Sequence, residues 1–333
     1  MHSYYFITLA VLHSCFAYAQ SVSHPGKYRP VFGSDEVQVI CDSVNFKTLP
    51  NKGFPGNTTD LIVYLSNLSS ITSDDLKILS HDHLSRLSLT RNQLRTLPAD
   101  LLLGLSNLQV LDLTGNKLTS LPSRVFHHSP LVELTLSENL LSEIDADCLP
   151  VNNSLQRLDL SSNKFTQLPV AFLRRLNNLE SLDFKNNQLE ELTPGALTSL
   201  PKLEALYLEN NRLKFLDPSA FIGNPNLRQM FLSGNRLESL PAGLFLKQDE
   251  LVFLDLRSNY LQNLTPGILD GRSYAVLSGN PWHCNASLAY LWHWLRVDEK
   301  RIFHDDKITC QTPEHMKGRN ITEIAAAELG IKD

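Results

Sequence analysis

Eight segments of the chain share one pattern, L-x-x-L-x-L-x-x-N-x-L, with asparagines in phase at Asn92, Asn116, Asn139, Asn163, Asn187, Asn211, Asn235 and Asn259. The spacing is 24 residues, except for 23 between Asn116 and Asn139. The copy with Leu108, Leu111, Leu113, Asn116, Leu118, Leu121-Pro122 and Phe126 shows the pattern whole. A degenerate copy precedes them, carrying Leu61, Val63, Leu68 and Ile71 with Ser66 in the asparagine slot. A unit this short cannot bury its own apolar face, so such units must stack on one another into a solenoid.

The chemistry of the pattern says how. In L-x-L the leucines point to one side of a short strand and the x residues to the other. Successive coils bring their strands about 4.8 Å apart in one parallel sheet, and the leucines fill a shared core. The asparagine amide both donates and accepts, so it can satisfy turn backbone groups of its own and adjacent coils. Losing one would strand buried polar groups at roughly 1–3 kcal/mol. The second half of each repeat, with turns such as Leu121-Pro122 and Thr193-Pro194-Gly195, is wider than a strand and bends the stack. The signature resembles the leucine-rich-repeat family. That resemblance implies an α/β solenoid: a horseshoe with a parallel concave sheet, an N-terminal cap and a C-terminal helical cap.

Four segments follow. Residues 1–19 read as a signal peptide, with an apolar run from Phe6 to Leu12 and a small-x-small end at Ala17-Tyr18-Ala19, although its start carries only His2 as a basic group. Residues 20–58 form the N-terminal cap, where Val37-Gln38-Val39 alternates like a hairpin strand and Phe46 and Leu49-Pro50 lead into the array. The array spans 59–275, and 276–333 hold the C-terminal cap and tail. No later stretch approaches the roughly 18–20 apolar residues of a membrane span, and the polar tail after Cys310 lacks a lipid-anchor signal. A secreted, extracellular protein is expected. Six Asn-x-Ser/Thr triplets, at Asn57, Asn67, Asn152, Asn263, Asn285 and Asn320, agree with that. Pro266 directly after Thr265 makes Asn263 the weakest. A formal charge of −5 and a pI of 6.1 give no basic face for nucleic acid.

Ser278-Gly279-Asn280-Pro281-Trp282-His283-Cys284 ends the last coil, and an amphipathic helix is expected next. Its apolar face would hold Leu288, Leu291, Trp292 and Leu295, covering the last coil together with Trp282. Cys284 and Cys310 flank this helix and are expected to pair. Cys15 leaves with the signal peptide. Cys41 and Cys148 lie several coils apart, too far to bridge. Cys148 takes the slot that Val125 fills one repeat earlier and reads as a small buried hydrophobe. Cys41 is either a partly buried thiol or the site of an intermolecular disulfide.

The x residues form the solvent face of the sheet. Four positions before each asparagine stand Ser88, Asp112, Thr135, Asp159, Asp183, Tyr207, Phe231 and Asp255, and six before Asn259 stands Phe253. Tyr207, Phe231 and Phe253 fall on three adjacent strands, the make-up of a protein-binding anchor. Asp112, Asp159 and Asp183 form an acidic stripe, either suited to steering a basic partner or simply a solvated face. Rings that only cover one another, or that pack near the cap, are the alternative for the aromatics.

The cap sharpens the resemblance. Ser-Gly-Asn-Pro-Trp-x-Cys, the Leu288–Leu295 helix, Thr309-Cys310 and Pro313-Glu314-His315-Met316-Lys317-Gly318 resemble secreted plasma glycoproteins of the leucine-rich-repeat family. Most caps in the family open with C-x-C and use four cysteines; this one has Cys284-Asn285-Ala286 and one expected pair. Asn67 also sits where those relatives carry a glycosylation triplet. The N-terminal cap departs from them, since they close it with two cysteines and only Cys41 is present here. The resemblance implies an acute-phase protein that binds receptor ectodomains. By the same resemblance these are transforming-growth-factor-beta receptor components, with effects on angiogenesis, and cytochrome c is also bound. An extracellular immune-recognition or matrix protein is the alternative. It would bring a Thr/Pro-rich stalk with an anchor signal, or an N-terminal cysteine cluster, and the chain has neither.

Catalysis has little support. G-x-S-x-G, H-E-x-x-H, P-loop and G-x-G-x-x-G motifs are missing, and no cofactor is implied. His81-Asp82-His83 and His127-His128 read as solvated loop histidines without a third metal ligand, and Trp292-His293-Trp294 reads as part of the cap helix.

Overall fold

The computed structural model describes residues 27–30, 37–43, 45, 47–50, 54–79, 83–297 and 307–331. Residues 1–19, where a signal peptide with Cys15 is expected, Phe46, and His81-Asp82 lie outside the described residues. The chain forms two compact units, residues 1–155 and 156–333.

Each regular repeat puts a three-residue strand on its x-L-x triplet. The N-terminal unit runs β1 (Lys27–Pro30), β2 (Val37–Asp42), β3 (Thr58–Tyr64), the one-turn helix α1 (Ser73–Leu76), β4 (Arg86–Ser88), β5 (Val110–Asp112) and β6 (Glu133–Thr135). β1 and β2 pair antiparallel, which is the hairpin read from Val37-Gln38-Val39, and β2 to β6 continue in parallel in chain order. The C-terminal unit runs β7 (Arg157–Asp159), α2 (Val170–Leu173), β8 (Ser181–Asp183), β9 (Ala205–Tyr207), β10 (Gln229–Phe231), β11 (Phe253–Asp255) and β12 (Tyr274–Val276), again parallel in chain order. Its cap holds β13 (Trp282–His283), α3 (Ala289–Val297), β14 (Cys310–Thr312) and α4 (Ala326–Leu329). This is the leucine-rich-repeat solenoid: in-register parallel strands, with turns and short helices as the return segments.

Register follows from the pattern. Leu87 pairs with Leu111, and Leu182 with Leu206, so one coil's inward leucine packs on the next. Leu111, Leu113, Leu206 and Leu208 are fully buried. Phe126, Phe172 and Phe221 fill the space between sheet and return segments, also without exposure. Truncating such a ring costs about 3–5 kcal/mol.

The asparagines satisfy the turns as expected. Asn235 Oδ1 accepts from Leu213 N at 3.1 Å, while Nδ2 donates to Leu208 O at 2.8 Å and Leu232 O at 3.0 Å. One side chain thus serves its own coil and the preceding one. In the degenerate repeat Ser66 keeps part of this role, donating through Oγ to Tyr64 O at 2.9 Å and Cys41 O at 3.3 Å. The ladder also continues past Asn259. Asn280 accepts from Asn259 N and Leu261 N at 3.2 Å each and donates to Leu256 O at 2.9 Å. The residue before each ladder asparagine has a left-handed backbone, with φ between 51° at Arg91 and 70° at Gly115. At Gly234 (φ 67°) a Cβ would stand 2.2 Å from Oδ1 of the exposed Asn210, so a side chain there would have to displace that amide.

A second ladder runs through the return segments. Asn224 Nδ2 donates to Leu197 O and Leu200 O at 2.9 Å each, Gln248 Nε2 to Phe221 O at 2.6 Å, and Arg272 Nη2 to Phe245 O at 3.2 Å. These residue types differ, but each meets carbonyl groups of the preceding coil that the turn leaves open.

The cap closes the last coil with Trp282, Leu288, Leu291 and Leu295, all buried. One expectation is corrected. Trp292 does not join that face: its Nε1 donates to Ile324 O at 2.8 Å, toward the tail, and the Arg296 guanidinium lies 4.4 Å over its ring. Trp294 takes its place, donating to Leu269 O at 3.1 Å. The first turn, Ala286–Leu288, is a 3-10 helix, so the helical phase restarts at Ala289. Cys284 and Cys310 are joined by a disulfide, with Cα atoms 5.7 Å apart.

Candidate functional site

Outward-pointing residues of β9, β10 and β11 build the most distinctive surface of the C-terminal unit. Tyr207 and Phe231 pair directly in register, and their rings stack with centroids 4.7 Å apart and 9° between planes. Phe253 sits one pleat away and tilts against Phe231, at 5.0 Å and 39°. All three are half-buried. The rings therefore cover one another in part and still face solvent. The strip extends to a residue not anticipated from the sequence: Tyr274 pairs in register with Phe253 and is 48% exposed. A fourth aromatic in the same row was discernible once β12 is counted as a coil.

The aspartates have local work. Asp112 Oδ1 accepts from Thr114 N at 2.9 Å, Asp159 Oδ1 from Ser161 N at 2.8 Å, and Asp183 Oδ1 from Lys185 N at 2.9 Å. Each is an Asx turn that ends the strand. Asp112 belongs to the N-terminal unit; Asp159 and Asp183 pair in register in the C-terminal one. Lys185 Nζ lies 2.9 Å from Asp183 Oδ2, and that hydrogen bond holds the ammonium pKa up. Desolvation raises Asp183, with Asp159 adding to it. Asp255 is fully buried and chelated by Arg257 through Nε at 3.1 Å and Nη2 at 2.8 Å.

Glu209 was not singled out from the sequence. It follows Tyr207 by two residues and so shares its side of the sheet. Burial pushes its carboxyl up to about 7; its own backbone N–H and Lys185 oppose this, and Asp183 and Asp255 add to it. Oε2 is buried without a hydrogen-bond partner. No pattern rule flags this position, because its character comes from groups on the coils of β8, β9 and β11.

Asn67, Asn152, Asn263 and Asn285 are exposed, and Asn57 and Asn320 are half-buried. Asn285 and Asn320 also cap 3-10 turns, accepting from Ser287 N at 2.9 Å and Thr322 N at 3.1 Å. Cys148 is fully buried with Sγ 3.5 Å from Pro122 O, as a core residue. Cys41 is 1% exposed, and burial pushes its thiol up to about 11. Of the two alternatives, this accords with the buried thiol. His127 Nε2 lies 2.9 Å from Asp147 O, and among the described residues no group of three metal-ligating side chains converges. Among the described residues no helix is long and apolar enough to cross a membrane.

The "Leucine rich repeat" family model matches residues 82–141, 153–213 and 203–261, together about half of the chain. The chain belongs to the leucine-rich-repeat family, whose members are protein-binding scaffolds. Over 53 residues it is 32% identical to a phospholipase A2 inhibitor of Gloydius brevicaudus siniticus, a match spanning 16% of each protein. It is also similar to a chain in the solved octameric complex of Latrophilin 3 (Lec, Olf), Unc5D (Ig, Ig2, TSP1) and FLRT2 (LRR). That likeness has a TM-score of 0.71 at 23% identity, and covers 86% of this chain and 95% of the other.

Proposed function

We propose that this chain is a secreted glycoprotein that binds a protein partner through Tyr207, Phe231 and Phe253, and that it is not an enzyme. The observation that carries the reading is the ring ladder itself. Three large apolar side chains occupy solvent-side positions of a rigid sheet, where isolated polar residues would serve solubility better. Aromatics held by neighbouring strands lose little entropy on binding, which suits them as anchors. Asp159 and Asp183 border the ladder and favour a basic partner. Glycans at the exposed Asn67, Asn152, Asn263 and Asn285 mark surfaces that the partner avoids.

The cap sequence supports a place beside leucine-rich alpha-2-glycoprotein, and with it an acute-phase role in transforming-growth-factor-beta receptor signalling and angiogenesis, with cytochrome c as a further partner. An inhibitor among the relatives, by its printed name, accords with function through binding rather than turnover. The test is affinity capture from plasma and cell-surface extracts with the wild-type chain and with Phe231→Ser/Phe253→Ser. A receptor ectodomain or basic protein recovered only by the wild type supports the reading. Equal recovery by both chains removes it.

A further inference from the structure

The aromatic strip has a carboxylate at its edge that no cation among the described residues hydrogen-bonds, although Lys185 acts on it electrostatically. Glu209 projects beside Tyr207, and its Oε2 has no hydrogen-bond partner. The charged groups that face it are Asp183 and Lys185 from the β8 coil and Asp255 from the β11 coil. Lys185 is held by Asp183 at 2.9 Å, and Arg257 is held by Asp255 at 2.8 Å. Lys185 and Arg257 are thus engaged, and the edge of the ring stack stays acidic.

The complement of that arrangement is a guanidinium. It is planar and weakly hydrated, it stacks on an aromatic face, and it donates in a fork to a carboxylate. An ammonium is a hydrated point charge and gains less from ring contact. We propose that the strip receives one arginine side chain of the protein partner, stacked on the exposed part of Tyr207, with the half-buried Glu209 side chain turning its covered Oε2 outward to accept from the guanidinium. This rests on the strip being the partner surface. It adds a pH linkage: the desolvation that keeps Glu209 partly protonated near neutrality is offset by the charge of an arriving cation, so binding tightens as pH rises through about 7.

The experiment is ring-carbon NMR of the full-length chain labelled at tyrosine, titrated with N-acetyl-arginine methylamide and its uncharged citrulline analogue at about pH 6 and about pH 8. Tyr207 signals are expected to shift saturably with arginine, roughly threefold or more tighter at the higher pH, and more weakly with citrulline at both. Glu209→Gln, isosteric and relieved of a desolvated acid, is expected to bind the two compounds equally and without pH dependence. Equal affinities in the wild type, or an arginine preference that survives Glu209→Gln, would overturn the assignment. If that happens while Phe231→Ser/Phe253→Ser still loses the captured partner, the strip remains the binding surface and only the arginine falls.

Discussion

The rings of Tyr207 and Phe231 stack at 4.7 Å although the two residues belong to different coils. The spacing is a consequence of the sheet. Parallel strands lie about 4.8 Å apart, close to the distance at which rings stack. An aromatic at the same outward slot in consecutive repeats is therefore held by its neighbour and stays on the surface. The solenoid converts a periodic sequence choice into a rigid apolar strip.

Phe231→Ser/Phe253→Ser separates binding from folding. Each ring pair contributes about 0.5–1.5 kcal/mol beyond its area, so the thermal midpoint should fall by only a few degrees. Loss of each anchor should cost about 2 kcal/mol or more, on the order of 30-fold in affinity for each ring removed. Calorimetry and surface plasmon resonance with the captured partner measure the two effects. A large drop in midpoint with unchanged affinity would make the rings structural.

Asn235→Ala removes one acceptor and two donors from buried turn groups of two coils. A loss of about 2–4 kcal/mol in urea unfolding is expected. Exposed Lys164→Ala should stay within about 0.5 kcal/mol. Similar values for both would refute the ladder as a source of stability.

Glu209 makes stability pH-dependent with a defined sign. Its folded pKa of about 7 lies above the usual glutamate value of 4.5, so the folded state binds the proton more tightly. Its contribution favours folding below about pH 4.5 and declines as pH rises through about 7. For a half-buried group, solvent screening reduces the effect to about 1 kcal/mol. Denaturant titrations at a series of pH values should show that decline in the wild type and a flatter profile in Glu209→Gln. Parallel profiles would place the titration elsewhere.

The Cys284–Cys310 disulfide closes a loop of 26 residues around α3. Its removal by Cys284→Ala/Cys310→Ala should cost about 3.5 kcal/mol in the chain-entropy model. Hydrogen exchange should localise the loss to the cap and β12. Unchanged protection of Trp282 and Trp294 would show that packing alone holds the cap.

Cys41 has a thiol pushed up to about 11, so almost none of it is thiolate at pH 8. Iodoacetamide should leave Cys41 unmodified in the native protein and modify it after denaturation, as read by peptide mass spectrometry. Rapid native alkylation would show that the N-terminal cap opens.

Much of this was legible in the sequence because its rules are local. The L-x-L alternation placed every strand from β4 to β11, and the asparagine slot named the turn ladder. The Asn280 step was harder to read. It follows Asn259 after a shorter coil, and its strand reads Tyr-Ala-Val, with an alanine where the others carry leucine or methionine. Trp292 and Trp294 exchanged roles because a 3-10 turn resets the helix, and that turn is set by the Asn285 cap rather than by apolar spacing. Tyr207, Phe231 and Phe253 were visible as outward residues, since the face follows from period two. Glu209 was not. Its desolvation and its unpartnered oxygen depend on Asp183, Lys185 and Asp255, which only the stacking of coils brings together.

The most direct measurement uses a single substitution, Phe231→Asn, which completes a glycosylation triplet with Ser233 and places a glycan on the aromatic strip. Its control, Lys247→Asn/Asp249→Thr, puts a glycan on an exposed return segment of the same unit. With both glycans confirmed by mass spectrometry, affinity for the captured partner is measured for each chain. The strip as binding surface predicts that the first glycan abolishes binding and the second leaves it at the wild-type value. Wild-type affinity in the glycosylated Phe231→Asn chain would contradict it.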